Sequence, residues 1–125
     1  MGDRVNFVFQ EKGKAPAIVL YSHDGGESRY LDLAMALSNS QSRWDDSIYG
    51  SRRMISEIIK DKHFQELGFG LYPLAKYDGS IGGEYDRADI IIDFETQTIS
   101  SEGYEHSFQS FMDYHIEVAE FHGVL

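Results

Sequence analysis

The segment that most limits the fold is the run from Ala17 to His23, which is largely apolar on both of its faces. A strand of this kind has to be covered on both sides, so it belongs inside a sheet rather than at an exposed edge. The segment before it, Arg4–Gln10, alternates apolar and polar side chains, and a short polar turn separates the two. We therefore predict that they pair as an antiparallel hairpin.

The rest of the chain supplies helices and further strands. Helical spacing of apolar residues predicts helices over Glu27–Leu37, from the segment Trp44–Ser47 to about Lys62, and over His106–Phe121. A carboxylate or hydroxyl side chain of the segment Trp44–Ser47 is expected to serve as the N-cap of the second helix. Strand patterns cover Gly68–Tyr72, Ala88–Glu95 and a partner segment through Ile99, and residues 76–87 are expected to form an exposed loop. The expected fold is one α+β domain over residues 1–125. It has three helices packed on one face of an antiparallel or mixed sheet of about five strands, in the order ββααβββα.

The net charge of −10 is concentrated in the last third of the chain. From Glu84 to Leu125 there are ten acidic residues and one basic residue, Arg87. A surface of this charge repels phosphate backbones, so direct nucleic-acid binding is not expected. The acidic residues either form a solvated face or attract a partner with a basic surface. The partner-binding candidates are Glu102, Glu105, Glu117 and Glu120.

Composition and motifs exclude several other classes. No apolar run approaches the roughly 20 residues that span a bilayer, and the first residues lack the apolar core of a signal peptide, so we expect a cytoplasmic protein without membrane contact. The chain has no cysteine, and its five histidines form no metal-binding motif. The best candidates for three converging metal ligands are His23, Asp24 and Asp93. We expect no cofactor and no metal, and we favour a non-enzymatic protein over an enzyme.

The segment Tyr-Ser-His-Asp-Gly-Gly-Glu has two interpretations. It places His23, Asp24, Gly25 and Gly26 where a buried strand turns into a helix. Glycine permits positive φ and close backbone approach, and free amides before a helix can hold an anion or a partner's carboxylate. Alternatively, Asp24 or Ser28 caps the helix, the glycines form the corner, and His23 bonds to a backbone carbonyl.

Arg52 and two aromatic residues are further candidates. Arg52 is centred on the predicted apolar stripe of the second helix, where a guanidinium needs a partner. We predict either a buried ion pair with Asp93 or a contact with the His23 loop that helps to bind an anion. Trp44 either packs on the core at the start of this helix or, with Tyr49, forms the wall of the same pocket.

Four segments resemble those of a known family. These are the Leu-Tyr-Ser-His-x-Gly-Gly corner, the Leu-Ala-x-Ala-Leu helix, the Arg-Trp-x-Asp-x-x-Tyr segment and Gly-Phe-Gly. Over roughly residues 4 to 94 the chain resembles short uncharacterised proteins of bacteriophages and prophages, which carry tryptophan in place of Asp24. The matching positions are His23, Gly25, Gly26, Trp44, Asp45, Tyr49 and Arg52. The resemblance implies a phage context and no particular reaction.

Two functions follow from these observations. The first is a non-enzymatic, phage-encoded binding protein that inhibits a host protein, or counters a host defence, through its acidic surface. The alternative is that the corner binds a nucleotide-like ligand, which is then sequestered or hydrolysed; its residues are His23, Gly25, Gly26 and Arg52. Self-association is left open.

Overall fold

The computed structural model describes residues 2–12, 14–60, 68–75, 77 and 87–125. In these residues the chain forms an α+β fold with six strands, three α-helices and a short 3-10 helix. The strands are β1 Val5–Glu11, β2 Lys14–Ser22, β3 Phe69–Leu74, β4 Ile90–Asp93, β5 Thr98–Ser101 and β6 Tyr104–Ser107. The α-helices are α1 Arg29–Ser38, α2 Ser47–Ile59 and α3 Phe108–Phe121, and the 3-10 helix is Gln41–Arg43.

The six strands form one mixed sheet in the order β3-β2-β1-β4-β5-β6. The predicted hairpin is confirmed, because β1 and β2 pair antiparallel from Val5 opposite Ser22 to Glu11 opposite Lys14. β1 is parallel to β4, whereas the other neighbouring strands are antiparallel. The parallel pair lies at the centre of the sheet, where both strands have a neighbour on each side.

The sixth strand, β6, lies where the sequence predicts the beginning of the last helix at His106. A two-residue hairpin turn precedes it, in which Glu102 has φ 54° and Gly103 has φ 84°. Two consecutive positive φ values are the signature of a turn whose twist matches that of its strands. The Ser107 side chain then accepts a hydrogen bond from the backbone N–H of Ser110 and caps α3. The prediction of five strands is therefore one strand short.

The helices lie close to their predicted positions. α1 and α3 begin within two residues of the predicted starts. Asp46 is the N-cap of α2, and its carboxylate accepts a hydrogen bond from the backbone N–H of Tyr49 at 3.0 Å. This confirms the predicted carboxylate or hydroxyl cap. The predicted end of α2 at Lys62 and most of the predicted loop over residues 76–87 lie outside the described residues.

All three helices pack on one face of the sheet. That face contributes buried residues from β1, β2, β4 and β5 to the main core: Val5, Phe7, Phe9, Leu20, Ile90, Ile92 and Ile99. The opposite face carries a second apolar cluster of Val8, Ala17 and Val19, with Tyr72, Leu74, Tyr77 and Ile91 against it. β2 is thus covered on both faces, as its sequence predicts. In the part of the chain that is described, every helix is too short or too polar to cross a bilayer.

The predicted ion pair between Arg52 and Asp93 is wrong. Arg52 is exposed. Asp93 is buried, and it accepts hydrogen bonds from the backbone N–H groups of Lys12 at 3.3 Å and Glu95 at 2.9 Å. The side-chain amide of Gln10 donates a third at 3.3 Å. These neutral donors satisfy the buried carboxylate without a guanidinium.

The rotation of α2 about its axis explains where Arg52 lies. The fully buried residues of α2 are Gly50, Met54 and Ile58. A Cβ at Gly50 would lie 2.7 Å from both the carbonyl oxygen of Arg43 and the ring of Phe94, so only glycine permits this close approach. Because Gly50 faces inward, Ile48 is left 74% exposed and Arg52 points to solvent. The sequence prediction placed Arg52 on the buried face of α2 because it considered only apolar side chains. It did not anticipate that Gly50 would be buried.

Candidate partner-binding site

The corner that follows β2 joins three segments of the chain. The backbone N–H of His23 donates to the carbonyl of Gly68, and its carbonyl accepts from the N–H of Asp3, both at 2.9 Å. The N–H of Gly26 donates to the carbonyl of Asp3 at 2.9 Å. The corner is therefore bonded on one side to the first residues of the chain and on the other to Gly68, directly before β3.

The carboxylate of Asp3 occupies the position that the sequence suggests for an external anion. Arg87 donates to its two oxygens from Nε at 2.8 Å and Nη2 at 2.9 Å, and the backbone N–H of Glu27 also donates to it. These hydrogen bonds, Arg87 first among them, lower the pKa of Asp3 below its usual value. An internal carboxylate thus uses the donors on which an anion pocket would depend.

The two glycines of the corner are required for close packing and not for positive φ. A Cβ at Gly26 would lie 2.5 Å from Cγ of Asp3 and 2.9 Å from Cγ of Arg87. A Cβ at Gly25 would overlap the hydroxyl of Ser22. Neither glycine has a left-handed φ, so the expectation of positive φ is wrong for both.

The other polar residues of the corner are engaged locally. Nδ1 of His23 lies 2.6 Å from the hydroxyl of Tyr21, within hydrogen-bond distance, and its ring is half-buried. Asp24 is exposed. Ser28 is the N-cap residue of α1, but its hydroxyl donates to the carboxylate of Asp32 at 2.7 Å and makes no capping bond. The polar groups of the corner therefore bond mainly to one another and to neighbouring chain segments, and they hold these segments together.

We expect Asp3→Asn to lower the free energy of unfolding at neutral pH, because an amide carries no charge to pair with Arg87. The pKa of Asp3 is lowered in the folded state, so its ionisation stabilises the fold above the unfolded-state pKa of about 3.9. That contribution disappears as the pH falls through the folded-state value. Urea unfolding of both proteins across the acid range checks this. A difference in stability that stays constant into strong acid would contradict the pairing.

Trp44 belongs to the core and does not lie at the corner. Its indole N–H donates to the carbonyl of Leu37 at 3.1 Å. Its ring meets that of Phe108 edge-on, with 5.3 Å between the ring centroids. Of the two interpretations of Trp44, the structure supports packing on the core.

Tyr49 and Arg52 also lie apart from the corner. Tyr49 is exposed on α2, between the guanidinium of Arg43 at 4.3 Å and that of Arg52 at 5.2 Å from its ring centroid. Arg52 lines a cavity together with Glu11 and Lys14, beside the turn of the β1–β2 hairpin. The His23 corner is at the other end of this hairpin, roughly 20 Å away along β1. The structure therefore brings together His23, Asp24, Gly25 and Gly26, and separates Trp44, Tyr49 and Arg52 from them.

The four candidate glutamates are all exposed, but they do not share one face. Glu102 lies in the β5–β6 turn, 3.5 Å from Nη2 of Arg29. Glu105 alternates in β6 with residues that face α3, so it points to the opposite side of the sheet. Glu117 and Glu120 lie on the solvent side of α3. Only this last pair shares a surface.

α3 carries a second apolar stripe that the core does not cover. Its buried residues are Phe108, Phe111, Met112 and Ala119. On the outside, Tyr114, Val118 and Phe121 follow at intervals of four and three residues, with exposed fractions of 63%, 36% and 86%. We refer to these three residues as the outer stripe. The exposed carboxylates of Asp113, Glu117 and Glu120 lie beside it. An exposed apolar patch bordered by polar residues is typical of an interaction surface.

A cavity of about 410 Å³ opens next to the outer stripe, between α3 and the β5–β6 hairpin. Its floor is formed by the buried residues Ile99 and Phe111, and Tyr104 and Tyr114 stand at its mouth. His106 and His115 also line it, as do Tyr30, Ser101 and Glu102. We refer to this cavity as the aromatic cleft. Tyr114 belongs to both the cleft and the outer stripe, so the two surfaces are continuous.

At neutral pH, burial in the aromatic cleft favours the uncharged form of His115. Its ring centroid lies 4.4 Å from that of Phe111, 5.0 Å from that of Tyr114 and 5.2 Å from that of Tyr30. Burial among these rings lowers the pKa of His115, and the neighbouring His106 and Arg29 lower it further. The cleft is therefore mainly aromatic in character at this pH.

Metal ligands do not converge in the described residues, where no three histidine, aspartate or glutamate side chains are close enough to hold an ion. His23 and Asp93 lie toward opposite ends of β1, because Asp93 is paired with Gln10 and His23 follows the partner of Val5. The set of His23, Asp24 and Asp93 is therefore not assembled.

Sequence reasoning missed several of the residues that form these surfaces. The spacing of Tyr114, Val118 and Phe121 is a helical signal that could have identified a second stripe on α3. Arg29 lies four residues before Leu33, on the buried face of α1, and the same spacing could have identified it. No local signal points to Asp3, whose partner Arg87 is 84 positions away.

Comparison of the chain with protein-family models, with curated proteins and with solved structures gives no match. The function is therefore argued from the surfaces of the described residues.

Proposed function

We propose that this is a non-enzymatic binding protein that docks a partner with a basic surface through the outer stripe of α3. The observation that carries the proposal is that α3 has two apolar stripes and the core buries only one of them. Phe121 alone is 86% exposed. Burying a large apolar side chain contributes about 1.5–3 kcal/mol, so covering the stripe is a strong driving force for association.

The charge beside the stripe selects the partner. Asp113, Glu117 and Glu120 lie on the exposed surface of the same helix, and the last third of the chain as a whole is strongly acidic. Carboxylates around an apolar patch accelerate encounter with a basic surface and disfavour an acidic one. A helix that presents anchors at these intervals fits a partner that offers an apolar groove with a basic rim.

The corner supports the nucleotide-like alternative less well. Its strongest donors, the Arg87 guanidinium and the backbone N–H of Glu27, already bind the carboxylate of Asp3. The backbone N–H of Gly26 donates to the carbonyl of Asp3. A phosphate would have to displace these contacts, and the net negative charge of the chain would repel it.

The resemblance to short bacteriophage and prophage proteins extends the proposal to the identity of the partner. In that context the partner is a host protein, and the bound protein acts as an inhibitor or as a factor that counters a host defence. The support for this extension is the resemblance of the His-x-Gly-Gly corner and the Arg-Trp-x-Asp-x-x-Tyr segment. The outer stripe supports binding, whichever cell supplies the partner.

Charge reversal tests the proposal. The test variant changes the three carboxylates beside the outer stripe to lysine: Asp113, Glu117 and Glu120. The matched control makes the same change in net charge at three exposed acidic residues elsewhere: Asp24, Glu27 and Glu95. A partner is first isolated from a bacterial lysate with the unaltered protein and identified by mass spectrometry. We expect the test variant to bind the purified partner about tenfold or more weakly, with a flatter dependence on salt, because the rim steers the basic surface.

The outcome that contradicts the proposal is equal weakening by both charge variants, because net charge and not this surface would then be responsible. A second pair of variants tests the contribution of the apolar stripe separately from that of the charges. Phe121→Asp places a charge in the outer stripe and should abolish binding, whereas Ile48→Asp alters another highly exposed apolar residue, on α2, and should not. Full binding by the Phe121 variant would place the interface elsewhere.

A further inference from the structure

We infer that the aromatic cleft is an anchor pocket that takes one aromatic side chain of the docked partner. The inference rests on the proposed function for the origin of that side chain. The pocket itself lies between α3 and the β5–β6 hairpin and can be tested without the partner.

The dimensions of the cleft fit a single ring system. Its volume of about 410 Å³ falls in the lower part of the range of ligand pockets. Ile99 and Phe111 close its floor and are only 1% and 4% exposed, whereas Tyr104 at the mouth is 71% exposed. A buried apolar floor below an open mouth is the shape that receives an anchor side chain at the centre of an interface.

The charges around the cleft favour a neutral aromatic ring over a cation. A cation would stack on a tyrosine and pair with a carboxylate. Arg29 already does both, because its guanidinium lies 4.1 Å from the ring centroid of Tyr30 and its Nη2 is 3.5 Å from Glu102. Its Nη1 also donates to the carbonyl of Gly26 at 2.6 Å, which fixes it in place. The surfaces left for a ligand are mainly aromatic rings and imidazoles.

Continuity with the outer stripe places the anchor within the proposed interface. Tyr114 lines the cleft and also begins the stripe that continues through Val118 to Phe121. A partner that lies along α3 would thus contact the stripe and, at Tyr114, reach the cleft. Its basic residues would face the carboxylates of α3, and one aromatic residue would enter between Tyr104 and Tyr114.

The inference also makes binding sensitive to pH. The charged and titratable groups around the cleft are His115 on α3, His106 on β6, Arg29 on α1 and Glu102 in the turn, besides the tyrosines. An aromatic ring over His115 excludes water and favours its uncharged form. Protonation of His115 adds a second cation near Arg29. We expect affinity to fall as the pH decreases through the pKa of His115, by up to about tenfold per pH unit.

The experiment uses the full chain and capped tripeptides. The probe is acetyl-Lys-Trp-Lys-amide, and its controls are acetyl-Lys-Ala-Lys-amide and acetyl-Glu-Trp-Glu-amide. We expect only the first to shift the NMR signals of His106, His115 and Tyr104 in a saturable manner at neutral pH. Tyr104→Ala should weaken its binding about tenfold, whereas Tyr49→Ala, at an exposed tyrosine on α2, should leave it unchanged. His115→Gln should retain binding in acid.

Three outcomes would overturn the inference. They are binding of the alanine peptide as tight as that of the tryptophan peptide, binding that Tyr104→Ala leaves intact, and no shift of the histidine signals by the tryptophan peptide. The first would show recognition of a cation, and the other two would show that no ring enters the cleft.

Partner binding then distinguishes this inference from the proposed function. If Tyr104→Ala weakens the tripeptide but not the isolated partner, while Phe121→Asp weakens the partner, the anchor inference fails and the proposed function stands. If Phe121→Asp leaves partner affinity unchanged while the tripeptide binds normally, the proposed function fails and the pocket stands. Weakening of the partner by both variants supports both.

Discussion

Phe108→Ala is expected to lower the free energy of unfolding by about 4 kcal/mol. Phe108 is only 1% exposed and is the first residue of α3, directly after β6. Its ring lies edge-on to those of Trp44 and Phe94, at centroid distances of 5.3 and 5.5 Å. The substitution leaves a cavity where α3, the segment before α2 and the end of β4 meet, and it removes two aromatic contacts.

The same helix provides the control. Phe121→Ala is the identical substitution at a residue that is 86% exposed, and we expect it to change stability by no more than about 0.5 kcal/mol. Guanidinium unfolding followed by circular dichroism measures both, since Trp44 fluorescence would itself respond to the loss of Phe108. Equally large losses of stability in the two variants would mean that Phe121 is also buried, and the outer stripe would then not be exposed. A stable Phe121→Ala protein is also suitable for the binding experiments.

Gly26→Val is expected to cost about 3 kcal/mol. A Cβ at this position would lie 2.5 Å from Cγ of Asp3 and 2.9 Å from Cγ of Arg87, and a branched side chain extends further into the same space. The Asp3–Arg87 pair would have to separate, and the backbone hydrogen bond from Gly26 to Asp3 would be strained with it. Both effects weaken the contacts that hold the first residues of the chain against the segment before α1.

Gly70→Val is the matched control for this prediction. A Cβ at Gly70 would meet nothing closer than Cδ2 of Tyr21 at 3.7 Å, which is an ordinary contact, and β3 is a strand, where valine is favoured. We expect its midpoint in urea to equal or exceed that of the unaltered protein. If Gly26→Val unfolds at the same urea concentration as Gly70→Val, the corner is looser than the structure shows, and Asp3 does not fill it.

Local sequence determined the elements and much of their pairing. Alternation in residues 4–10, a polar turn and the doubly apolar run of residues 17–23 were sufficient for the β1–β2 hairpin and for its covered faces. Helical spacing placed α1, α2 and α3, and Asp46 was within the segment predicted to cap α2. Each of these features is set by residues within a few positions of one another, because hydrogen-bonded turns and side-chain periodicity are short-range properties.

Contacts between distant segments decided the rest. The corner looks like an anion site in sequence, yet Asp3, whose partner Arg87 is 84 positions away, supplies the anion. Arg52 is exposed because Gly50 lets α2 approach Phe94 and rotates the helix. The aromatic cleft exists only because α3 packs beside β6, a strand whose last two residues, His106 and Ser107, local patterns assigned to helix. Which donor a carboxylate meets, and which face of a helix is buried, depend on the packing of elements far apart in the chain, and periodicity within one segment carries no information about that packing.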